Sequence, residues 1–91
     1  MGTALTAKVI GRVQGVGFRF YVKTRAEELG ITGWVRNLPD GSVQTEAFGP
    51  RPDLERFMHY LETGPIGSRV DRVDFQWIES KTKLKNFEIS G

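Results

Sequence analysis

Three features of the sequence predict an α+β fold with two helices on one face of an antiparallel sheet. Apolar residues alternate with polar ones in four short segments and recur at helical spacing in two longer ones, in the order β-α-β-β-α-β. Only the central pair of strands is joined by a tight-turn signal, Asp40-Gly41, so the other connections are crossovers. The chain of 91 residues has room for one hydrophobic core, and residues 1–91 read as a single domain.

Leu5, Ala7 and Val9 alternate with Thr6, Lys8 and Ile10, which predicts a first strand over Ala4 to Arg12. A glycine-bearing segment follows. From Phe18 the pattern changes, because Phe18, Val22, Ala26 and Leu29 fall on one helical face and Gly30 stands where a left-handed residue ends a helix. Ile31, Gly33 and Val35 alternate with Thr32, Trp34 and Arg36 as a second strand. The turn segment LPDGS leads to a third strand, Ser42 to Phe48, with Val43, Thr45 and Ala47 on one face. GPRP breaks it. Leu54, Phe57, Met58 and Leu61 mark a second amphipathic helix that ends at Gly64-Pro65. Val73, Phe75 and Trp77 define a fourth strand, and Phe87 to Ile89 is long enough for a short fifth at the C-terminus. This order is the split βαβ, or ferredoxin-like, two-layer sandwich, and right-handed crossovers leave few other arrangements. Such a fold hosts many functions, so the function has to be read from the site.

Composition narrows the field. Apolar residues make up 38% and charged residues 26%, as in a folded globular chain. Thirteen basic groups against 11 acidic give a net charge of +2, too even for a general polyanion binder, so any basic site is local. With no cysteine there is no disulfide, thiolate metal site or thiol nucleophile, and a reducing compartment suits the chain. No apolar run approaches a membrane span, and Met1 to Val9 lacks the apolar stretch of a secretion signal, which makes the cytoplasm the expected location.

The segment GRVQGVGFRF, Gly11 to Phe20, carries three glycines, two arginines and no carboxylate between the first strand and the first helix. Amides at a helix start lack partners within the helix, and the helix dipole makes that end partly positive. Gly15 and Gly17 let the backbone curl so that successive N–H groups face inward. Arg19 adds a planar guanidinium suited to a phosphate or carboxylate. The segment therefore reads as an oxyanion cradle with one charged clamp, or else as a plain tight turn. It is neither a Walker A loop, which needs Gly-Lys followed by Ser or Thr, nor a dinucleotide fingerprint, since Phe20 stands where the third glycine belongs. Asn37, before the hairpin, offers an amide that donates and accepts without titrating. It fits a water-orienting role or a simple turn cap.

Taken together, GRVQGVGFR and GWVRNLPDGSV (Gly33 to Val43), with Gly49, resemble the acylphosphatase family over essentially the whole chain. The resemblance implies a ferredoxin-like fold and metal-independent, cofactor-free hydrolysis of the carboxyl–phosphate bond of acyl phosphates. It implies that the loop Val13, Gln14, Gly15, Val16, Gly17, Phe18 wraps the phosphate. Arg19 then matches the family's phosphate-binding arginine and Asn37 its water-positioning asparagine. Gly17 stands at a position that varies in the family. The expected partners are a small acyl phosphate and inorganic phosphate as product and inhibitor, with no nucleic acid and no membrane, for a chain expected to be monomeric. The physiological acyl phosphate is left open among carbamoyl, bisphosphorylated and acetyl-type compounds. Because the leaving group is a carboxylate, the reaction needs charge stabilisation and a placed water rather than a strong general acid.

Other residues read as structural. His59, the only histidine, belongs on the flank of the second helix and cannot build a metal site alone. Trp34 and Trp77 read as sheet or core residues, Arg12 and Arg36 as solvated strand side chains, and Lys81, Lys83 and Lys85 as a solubilising loop before an edge strand. GVGFRF has some likeness to the RNP1 motif of RNA-binding domains. That motif belongs on a third strand with its aromatics outward, whereas this segment follows the first strand. The same fold would also serve a small-molecule regulatory domain or a module of a larger carbamoyl-transferring protein. The initial Met and an end just past the last strand favour a free-standing enzyme.

Overall fold

Strand β1 (Gly2–Arg12) runs through the sheet interior, with β4 (Arg69–Ser80) on one side and β3 (Val43–Phe48) on the other. Beyond β3 lie β2 (Thr32–Asn37) and then the three-residue β5 (Phe87–Ile89), giving the order β4-β1-β3-β2-β5. The helices α1 (Phe18–Glu28) and α2 (Arg51–Thr63) make the two crossovers. This computed structural model describes residues 2–80 and 84–90. Lys81 and Lys83 of the expected solubilising loop lie outside them, and Lys85 is exposed. Among the described residues no helix is long and apolar enough to cross a membrane.

The ferredoxin-like order is the expected one, with one refinement. The four long strands pair antiparallel, but β5 joins β2 in parallel, Gly33 opposite Phe87 and Val35 opposite Ile89, so the sheet is mixed. A three-residue segment carries no signal of direction; pairing across the sheet sets it. β1 begins two residues before the first clear alternation because Gly2 and Thr3 pair with Ser80 and Glu79. β4 is correspondingly long, and as an edge strand it leaves Phe75 half exposed.

The core lies between the sheet and the helices. Leu5, Ala7, Val9, Val35, Val43 and Ala47 from the sheet meet Phe18, Val22, Ala26, Leu54, Phe57 and Leu61 from the helices, all buried. Fully burying a side chain such as Phe18, Phe57 or Phe87 is worth about 1.5–3 kcal/mol. The Phe57 and Phe87 rings meet edge to face at 5.9 Å and hold the short β5 to the core. At the end of α1, Gly30 N–H donates to Glu27 O at 3.1 Å and Ile31 N–H to Ala26 O at 2.9 Å, the paired bonds of a glycine helix stop. Trp77 packs at the core margin under the Arg51 guanidinium, 3.7 Å from its ring centre. Trp34 instead carries Arg36 at 5.0 Å, with Arg36 also donating to Gln44. His59 is well exposed beside Glu62.

Candidate active site

The segment between β1 and α1 turns twice through left-handed backbone, at Gly15 (φ 74°) and Gly17 (φ 75°). Apart from the chain neighbours, no atom of the described residues lies within 4 Å of where a Cβ would stand on either residue, so the dihedral angle, not crowding, calls for glycine. Gly17 is the N-cap of α1. No side chain caps it, and the first turn holds no acidic residue. The first helical bond runs from Tyr21 N–H to Gly17 O at 3.0 Å. The earlier amides of that turn therefore have no acceptor inside the helix, and no carboxylate within the turn itself offsets the positive end of its dipole. Such an end favours an anion.

A pocket of about 200 Å³ opens at this helix start, lined by Val13, Gly15, Gly17, Phe18, Arg19, Phe20, Asn37 and Ile89. Of the residues nominated from the sequence, six meet there: Val13, Gly15, Gly17, Phe18, Arg19 and Asn37. Val13 and Phe18 are buried and seat the loop in the core, and half-buried Arg19 is the one charged residue in the described lining. Gln14 and Val16 do not line it. Val16 packs partly against the core, while Gln14 Nε2 donates to Leu38 O at 2.8 Å and Ser42 O at 2.9 Å. Gln14 thereby ties the glycine loop to the β2–β3 hairpin, which carries Asn37.

Asn37 ends β2 opposite Val43. Its Oδ1 is buried and has no hydrogen-bond partner among the described residues. The turn is held by other groups. Leu38 N–H donates to Ser42 O at 2.9 Å, Gly41 N–H to Leu38 O at 3.1 Å, and Ser42 N–H to Asp40 Oδ1 at 2.9 Å. The turn cap is therefore Asp40. A buried acceptor left unpaired costs about 1–3 kcal/mol, so it calls for an explanation such as a bound water or a catalytic role. Asp40 is pinned in turn by Lys8 of β1 at 2.6 Å. The Lys8 ammonium, then the Ser42 hydroxyl and amide, hold its carboxyl far below the usual carboxylate range.

The lining includes two residues that sequence reasoning passed over, Phe20 and Ile89. Phe20 is 70% exposed, immediately after Arg19 and off the helix face that packs on the core. An aromatic side chain on the outer face was a legible signal; Ile89, on a strand paired in parallel across the sheet, gave none. Among the described residues no group of His, Cys, Asp or Glu is placed to hold a metal ion.

Comparison with known proteins shows the family of the chain and its fold. The acylphosphatase family model matches residues 5–89. An acylphosphatase of Thermus thermophilus is 48% identical over 85 residues, covering 93% of this chain and 96% of that one. One from Mycobacterium sp. (strain KMS) is 49% identical over 83 residues, 91% and 88% of the two chains. The crystal structure of acylphosphatase from Bacillus subtilis superposes with a TM-score of 0.95 at 34% identity, over 98% of this chain and 99% of that chain. A family match that runs from the first buried leucine of β1 to Ile89 takes in both helices, all but the first residues of the sheet and every residue lining the pocket: the chain belongs to the acylphosphatase family.

Proposed function

We propose that this chain hydrolyses the carboxyl–phosphate bond of acyl phosphates without a metal ion or cofactor. The water oxygen bonds to phosphorus in line with the bond that breaks. The acyl carboxylate leaves with the bonding electrons, and the water's proton passes to a phosphoryl oxygen. Arg19 and the amides of the loop from Val13 to Phe18 hold the phosphoryl oxygens and offset charge as it shifts to the leaving carboxylate. Asn37 orients the attacking water through its carboxamide, which can donate and accept without titrating, and so fixes its approach. The carboxylate leaving group is stable enough at neutral pH for no general acid to be required.

The observation that carries this reading is the meeting, in one pocket, of an uncapped helix start, a single guanidinium and a buried carboxamide oxygen with no partner among the described residues. The test is hydrolysis of benzoyl phosphate beside a phosphomonoester control. Activity on the first, with little on the second, and survival of that activity through exhaustive chelation are expected; loss on chelation with recovery on adding magnesium or zinc would overturn the metal-free mechanism. Inorganic phosphate, as product, should inhibit competitively and raise Tm by mass action. The proposal includes residues 1–91 acting as one domain and as a monomer, which sedimentation checks. It also includes action in the cytoplasm, in keeping with a cysteine-free sequence.

A further inference from the structure

A phosphoryl group in the cradle leaves the acyl part of the substrate to lie along whatever else lines the pocket. Beyond the loop, Arg19 and Asn37, that lining is Phe20 of α1 and Ile89 of β5. Both are exposed large apolar residues, 70% and 40%, and they stand on neighbouring elements, since α1 packs against β5. Ile89 is opposite Val35, near the end of β2 where Asn37 lies, and alternates with exposed Glu88 so that it shares the helix-side face with Phe87. Neither Phe20 nor Ile89 belongs to the buried core, so neither is explained by packing. The described lining offers one guanidinium, that of Arg19, and no second cation to meet another anionic group on the substrate.

We propose that Phe20 and Ile89 form an acyl-group subsite that selects acyl phosphates with uncharged alkyl or aromatic acyl groups over those bearing a second anion. This inference rests on the proposed acylphosphatase site. An aromatic acyl group laid against Phe20 and Ile89 removes apolar surface of both partners from water, whereas a second phosphate there would be desolvated against hydrocarbon without a counter-charge. The contact acts on binding and orientation, leaving the chemistry to the cradle.

The experiment compares kcat/KM for benzoyl phosphate and acetyl phosphate in the parent chain, Phe20→Ala and Ile89→Ala, with the inhibition constant of inorganic phosphate and Tm measured on each. Phe20 is a surface side chain, so Phe20→Ala should fold with an unaltered Tm. The expected result is a fall of about 10-fold in the benzoyl-to-acetyl ratio of kcat/KM, the size of a lost apolar contact with one ring, with phosphate inhibition within about twofold of the parent. Ile89→Ala should act in the same direction and less strongly, and Phe20→Lys should raise the relative rate on a bisphosphorylated acyl phosphate. A ratio unchanged in Phe20→Ala and Phe20→Lys, while both acyl phosphates are hydrolysed and phosphate competes, would overturn the subsite alone. Absence of acyl phosphate hydrolysis in the parent chain would overturn the site and the subsite together.

Discussion

Arg19 and Asn37 line the same pocket with different electrostatic character, one a cation and the other a neutral amide with a buried oxygen unpaired among the described residues. In the proposed mechanism they fail differently when replaced. Arg19→Gln removes the charge that meets the phosphoryl group in both ground and transition states, so phosphate affinity and turnover should fall together. The loss expected for a charged hydrogen bond to a desolvated phosphate is about 2–4 kcal/mol, or roughly 30- to 1,000-fold in rate. Asn37→Ala should leave phosphate affinity near that of the parent while kcat collapses. It should also leave Tm equal or higher, because it deletes a buried acceptor that no described protein group satisfies. A folded Asn37→Ala chain that is still fast would remove the water-positioning role; a lower Tm with turnover of the folded fraction retained would restore Asn37 to a turn cap. Arg19 reads as an anion clamp because it lies beside a glycine signal that is local in the chain, whereas the local signal at Asn37 suits a water-orienting amide or a turn cap and its role in the site comes from the family resemblance. The sequence did not show which residue caps the turn, since Asn37 and Asp40 suit that task equally by type and only the bonds of Ser42 and Lys8 assign it to Asp40.

At the scale of elements, the site depends on keeping the β1–α1 loop in register with the β2–β3 hairpin. Gln14 performs this by donating from one amide nitrogen to two hairpin carbonyls. Gln14→Ala should therefore cost about 1–2 kcal/mol of stability, as two modest hydrogen bonds do, and also lower kcat, because the cradle and Asn37 sit on the two segments it joins. A kcat per folded molecule that stays low well below the variant's Tm would show that Gln14 positions the site; a normal kcat in the folded variant would reduce it to a stabilising tie. Elements whose signals are local are readable from the chain: the helix face of Phe18, Val22 and Ala26, the stop at Gly30 and the Asp40-Gly41 turn all stand in the fold. What pairing across the sheet decides is not, namely the length of β4, the parallel direction of β5 and hence the arrival of Ile89 at the pocket. Gln14 reads from sequence as a loop residue around the phosphate, and its reach of 24 residues to Leu38 follows from the fold alone.

For the molecule as a whole, pH should act on stability through groups away from the pocket, and their signs can be worked out. Asp40 has its carboxyl held well below the ordinary 3.8 by Lys8 and then by Ser42. A depressed folded-state value means that the unfolded chain takes up the proton first as pH falls. The stabilisation from Asp40 is thus complete above about pH 4–5 and drains away as pH drops from the unfolded value toward the folded one. Tyr21 moves the other way. Burial, opposed by Arg25, raises its phenol above the ordinary 10.0, and the hydroxyl donates to Tyr60 O at 3.0 Å. The protonated phenol is the form the fold favours, so its contribution is present below about pH 10 and is lost as pH rises through the raised folded value. Asp40→Asn tests the acid limb. It keeps the shape of the turn but gives up the ion pair with Lys8, so at pH 7 its Tm should lie below that of the parent. The gap should narrow as pH falls below 4 and close as the parent's own Asp40 becomes protonated. High salt should also shrink the gap at pH 7, because the Lys8–Asp40 pair is about half exposed. A gap that stays constant from pH 7 to pH 2 would show that the turn depends on the shape of residue 40 and not on its charge.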